Sequence, residues 1–127
     1  MGRCAIKVVQ MDIFPVVYRC VVVVKPKQPL LDWLRSVDPS HNPTLEDICK
    51  DSHAYLVPDF EEAPDIEKAI DKYLKDNFEG IFLNELIAWY TDPQMFPKMT
   101  YPLFQAWFEI SIHTMAFDTV NKPINKE

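Results

Sequence analysis

The chain predicts an α+β fold: a small two- to four-stranded, mostly antiparallel sheet packed against helices, one of them long and near residues 65–90. Three observations carry that expectation. A valine-rich run over Val16–Lys25 is β-branched almost throughout. Apolar residues recur at helical spacing over Gln28–Val37 and Asp65–Tyr90. A late segment, Glu109–Thr119, alternates with a period of two.

In Val16–Lys25, Val17 and Val21–Val24 favour a pleated backbone, and Tyr18 and Cys20 fit it. The near-continuous apolar run predicts a central strand covered on both faces. Ala5–Val9 has the composition of an earlier strand beside it. Pro26 and Pro29 end the run, and Pro29 suits a helix first turn, so Gln28–Val37 follows as a helix with Leu30, Leu31, Trp33, Leu34 and Val37 on one stripe. Asp38–Pro39 stops it. Thr44–Lys50 reads as a short helix, with Thr44 as cap and Asp47 three residues on.

His53–Val57 is a short strand ended by Pro58, and Asp59–Asp65 an acidic loop. Pro64, Asp65 and Glu67 then mark the start of the long helix, because negative charge suits a helix N-terminus. Its first half is amphipathic, with Ile66, Ala69, Ile70, Tyr73 and Leu74 opposite Glu67, Lys68, Asp71, Lys72, Lys75, Asp76 and Glu79. After Gly80 the charged face disappears. Ile81, Phe82, Leu83, Leu86, Ile87, Ala88, Trp89 and Tyr90 go round the helix, which predicts burial on every side and makes Gly80 a candidate kink. A loop with Pro93 and Pro97 leads to a short helix over Thr100–Phe108, with Thr100 as cap, and then to the last strand. The whole reads as one domain over 1–127, with Met1–Gln10 and Asn121–Glu127 accessory to it.

Composition bounds the function. The formal net charge is −6, which argues against a general nucleic-acid binder. The balance is uneven: residues 1–35 carry +4 and the remainder −10. Three cysteines without framework spacing, and no long apolar span, point to a reduced, cytoplasmic chain without a membrane segment. Only Gly2 and Gly80 are present, so phosphate-cradling loops and a nucleophile elbow are excluded, and no cofactor is expected.

Nine of the sixteen aromatic residues fall between Phe78 and Phe108, a stretch with few charges. They form either core or a contact surface. The favoured function is a small interaction or assembly domain, a homodimer or a subunit of something larger. Its contact surface would use Ile81, Phe82, Leu83, Trp89, Tyr90 and Trp107. The rival is a small-molecule binder or enzyme near Glu85 and Trp89. There Glu85, set among Ile81, Phe82, Ala88 and Trp89, would act as acid or base with His113 as partner. Burial disfavours the charge on Glu85 unless a donor pairs with it, and Arg19, Arg35, a Trp or a Tyr could be that donor.

Other clusters are weaker. Ser111, His113 and Asp118 have the residue types of a triad, but strand parity puts Asp118 on the other face. Cys49 and His53, with His41 upstream, lack a paired cysteine motif, so no metal site is expected. The cluster Asp59, Glu61, Glu62 and Asp65 lacks the turn glycine of a calcium loop and reads as a helix entry or a patch for a basic partner. Lys25 and Lys27, near a helix start, would suit an anionic group, though the flanking prolines remove amide donors.

Overall fold

The computed structural model describes residues 14–126. In chain order these form β1 (Val16–Val17), β2 (Cys20–Pro26), α1 (Gln28–Val37), α2 (Leu45–Cys49), β3 (His53–Val57), α3 (Ile66–Trp89), a single 3₁₀ turn (Pro93–Met95), α4 (Tyr101–Trp107), β4 (Phe108–His113) and β5 (Ala116–Phe117). The fold is α+β, as expected. The expected strand over Ala5–Val9 lies outside the described residues.

A three-stranded antiparallel sheet has the order β3-β2-β4, and β1 pairs with β5 in a second, two-stranded ladder. The two ladders belong to one strand pair interrupted by a bulge. Three residues (Tyr18, Arg19, Cys20) separate Val17 from Val21, but only two (Thr114, Met115) separate their partners Ala116 and His113. The extra residue is taken up at Tyr18–Arg19, where the Arg19 N–H turns back to donate to the Val17 carbonyl at 2.8 Å. The long strand expected over Val16–Lys25 is therefore broken in two.

Alternation along β2 sets the layers. Cys20, Val22, Val24 and Pro26 are buried, whereas Val21 and Val23 are only partly covered. The buried set joins Leu30, Leu31, Ile48, Ile70, Leu74, Phe78, Phe82, Leu86, Phe104, Trp107 and Phe108 in one core, so the helices lie on that side of the sheet. Coverage on both faces, expected for β2, is not found among the described residues. The outer face carries Val21, Val23, Ala54 and the half-exposed Leu56.

Helix boundaries follow local chemistry. The Thr44 hydroxyl accepts from the Asp47 N–H while the Asp47 carboxylate accepts from the Thr44 N–H, a reciprocal cap that starts α2. That same contact holds the Asp47 carboxyl below its usual range. Asp65 caps α3 by accepting from the Lys68 N–H at 3.2 Å, and Thr100 caps α4 by accepting from the Leu103 N–H. Gly80 neither ends nor splits α3, which runs unbroken through it.

The aromatic stretch is mainly core. Phe82 meets Phe104, Trp107 and Phe108 with ring centroids 5.5–5.7 Å apart, and Phe78 meets Tyr101 and Phe104. These are tilted or edge-to-face contacts, the geometry that ring quadrupoles favour. They clamp α3 to α4 and to the start of β4. Full burial of the second half of α3 is not observed: Leu83 is 38% and Ile87 46% exposed.

Candidate functional site

The core-facing stripe of α3 carries Ile70, Leu74, Phe78, Phe82 and Leu86, and Glu85 joins it. With Phe82 turned toward α4, Glu85 comes against edge strand β3. Register decides what it meets there. His53 pairs with Val24 and Tyr55 with Val22, both core-side positions of β2, so both side chains rise on the helix side of the sheet. Glu85 is fully buried between them.

Glu85 Oε2 lies 2.7 Å from His53 Nδ1, and the Tyr55 hydroxyl donates to the same oxygen. The Asn84 side-chain amide in turn donates to the Tyr55 oxygen at 2.8 Å. The Tyr55 hydroxyl and the His53 ring meet on one oxygen, and assigning the His53 Nδ1–H as the second donor leaves Nε2 as the other ring nitrogen. The imidazole is 40% exposed while the carboxylate is wholly covered. Burial, followed by the hydrogen bond to Glu85, pushes the Tyr55 phenol well above its ordinary value, and the Asn84 donor opposes this. The second carboxylate oxygen, Oε1, and the Trp89 indole N–H one helical turn on are buried without a hydrogen-bond partner among the described residues.

The expected Glu85–His113 pair does not form. His113 pairs with Val21, an outer-face position of β2, so it points away from the helix layer. Its Nε2 lies 2.9 Å from the Ser111 hydroxyl on the same outer face. Asp118 is occupied locally, its carboxylate accepting from the Val120 N–H and its own N–H donating to the Pro15 carbonyl, so no triad assembles. Of the anticipated donors, a tyrosine bonds Glu85, namely Tyr55, whereas Arg19, Arg35 and the tryptophans do not; His53, expected only beside Cys49, is the second partner.

The expected contact residues divide. Phe82 and Trp107 are core and take no part in the surface. Ile81, Trp89 and Tyr90 are partly covered, and Leu83 is exposed. Trp33 packs against Tyr90, Phe96 and Trp107, and its indole N–H donates to the Met95 carbonyl at 2.9 Å. The Cys49 thiol donates to the Pro26 carbonyl, and no three metal-ligating side chains gather among the described residues. Asp59 and Asp65 serve local backbone bonds, and Lys27 Nζ donates to the Gln105 carbonyl.

One signal for the missed pair was present in the sequence. His53, Tyr55 and Val57 alternate, so one face of β3 carries all three. Which face that is depends on pairing with β2, a non-local fact.

No family model matches this chain, and no curated protein or solved structure resembles it at a significant level. Among the described residues, no helix is long and apolar enough to cross a membrane.

Proposed function

We propose that this chain acts by association, as a small assembly domain whose contact surface is the outer face of the second half of α3, and that its first partner is a second copy of itself. The observation that carries this reading is the exposure of Leu83 and Ile87, four residues apart on one helix face. The other exposed positions from Gly80 to Ala88 are Gly80, Asn84 and Ala88, so no charge interrupts the face. A Cβ placed on Gly80 would meet nothing within 4 Å, so packing among the described residues gives no reason for a glycine there. Glycine in a helix interior costs about 1 kcal/mol relative to alanine. A neighbouring helix crossing at that point would use the missing side chain for close approach. A reducing, cytoplasmic setting suits the reading, because Cys20 and Cys49 are both free thiols.

Leu83→Glu and Ile87→Glu test it. Both sites face water in the single chain, so each variant should keep its helical circular dichroism. Sedimentation velocity should show each as a monomer where the parent chain is larger. Parent and variants sedimenting alike as monomers would reject the proposal.

A further inference from the structure

We propose that His53 is a reactive imidazole: its Nε2 accepts acyl groups from small, uncharged, activated esters and passes them to water. The proposal is independent of association through α3.

Of the three histidines, only His53 has a carboxylate partner among the described residues. His41 is exposed, and the Nε2 of His113 is engaged by the Ser111 hydroxyl. At His53 the bond to Glu85 uses Nδ1, so the remaining nitrogen is the nucleophilic one. Nδ1 sits against a covered carboxylate, while the side chain as a whole is 40% exposed.

The support behind the ring is fixed as well. Asn84 donates to Tyr55, Tyr55 donates to Glu85, and Glu85 holds His53, with the sheet and α3 each supplying two of the four groups. A buried carboxylate on Nδ1–H holds an imidazole in one tautomer and stabilises positive charge that develops on it during attack.

Electrostatics select the substrate class. The chain's formal net charge is −6, which disfavours phosphoryl donors and other anions, whereas an uncharged ester approaches freely. In the first step the Nε2 lone pair attacks the acyl carbon. The bond from that carbon to the leaving oxygen breaks, and the oxygen departs with the electron pair. The acyl-imidazolium keeps its Nδ1–H on Glu85. Water then adds to the acyl carbon and gives up one proton, which reaches the departed oxygen through solvent; the carbon–nitrogen bond breaks, and Nε2 recovers its lone pair. Overall, ester and water give acid and alcohol.

The probe is p-nitrophenyl acetate, used with the full chain and with equimolar N-acetylhistidine as the reference. The parent should release nitrophenolate at least about tenfold faster than the reference, the low end of what a positioned base contributes being larger still. His53→Asn should fall to the reference rate, whereas His41→Asn and His113→Asn should match the parent. A parent no faster than the reference, or equal loss in all three variants, would overturn the proposal. Should His53→Asn unfold, labelling of the unaltered chain with diethyl pyrocarbonate, read by site-resolved mass spectrometry, decides in its place. Modification of His53 ahead of exposed His41 supports the assignment, and His41 ahead of His53 overturns it.

Discussion

The two halves of α3 bury the same kind of inner stripe and present opposite outer faces. Ile70, Leu74 and Phe78 from the first half, and Phe82, Glu85 and Leu86 from the second, are all turned into the core. On the outside, the first half shows Glu67, Lys68, Asp71, Lys72, Lys75, Asp76 and Glu79 to water, with Lys72 Nζ 2.7 Å from Asp76 one turn on. The second half shows Gly80, Leu83, Asn84, Ile87 and Ala88, none of them charged. One helix therefore meets two conditions: a face suited to water, and a face that gains from being covered. The inner stripe holds the fold together, and the outer difference is what the proposed association rests on.

Single substitutions sharpen that contrast, in falling order of effect. Phe82→Ala removes the ring that joins α3 to Phe104, Trp107 and Phe108 and should cost about 3–5 kcal/mol in urea unfolding. Leu83→Ala, the neighbouring residue on the outer face, should cost far less in a single chain.

Tyr55→Phe removes one of two donors to a buried carboxylate and should cost about 1.5–3 kcal/mol. It should also change the alkaline limb of the stability profile. The folded chain holds the Tyr55 phenol above its unfolded value through burial and Glu85. Tyr101 is likewise raised to about 12, by burial and then by its bond to Asp71. A raised phenol contributes stability that is complete below about pH 10, its unfolded value, and is lost as pH climbs through the folded value. Melting temperature should thus decline above pH 10, and less steeply in Tyr55→Phe and Tyr101→Phe. A flat profile in the parent chain would contradict the buried Tyr55–Glu85 contact.

Gly80→Ala separates the two demands on one residue. The helix is regular there and the new methyl meets nothing, so the folded chain should gain about 1 kcal/mol. Assembly should weaken, because the methyl stands where a partner backbone would pass. Lys72→Ala, on the charged half, should cost only about 0.3–0.5 kcal/mol and leave assembly unchanged.

Most elements were legible because their signals are local. Thr44 with Asp47, Asp65 ahead of the long helix, Thr100 with Pro102, and the prolines after β2 and β3 each act within a few residues, and the observed boundaries follow them. Misjudgements arose where the answer depends on distant pairing. The valine run looked suited to two buried faces, but the described helices all lie on one side of the sheet. Phe82 and Leu83 have equal hydrophobic character in sequence, and only the position of α4 makes one core and the other surface. The buried carboxylate was foreseen from its apolar neighbours, whereas its partner was not. Choosing His53 over His113 needs the registers Val24 with His53 and Val21 with His113, which put the two rings on opposite faces of the sheet. The bulge at Tyr18–Arg19 likewise exists only as a mismatch between two strands.

The central claim, that the uncharged half of α3 is covered by a second copy of the chain, is tested most directly by light scattering during size-exclusion chromatography of the full chain over a concentration series. The account predicts a mass of two chains or more that falls toward one chain on dilution. A single-chain mass at every concentration would contradict it.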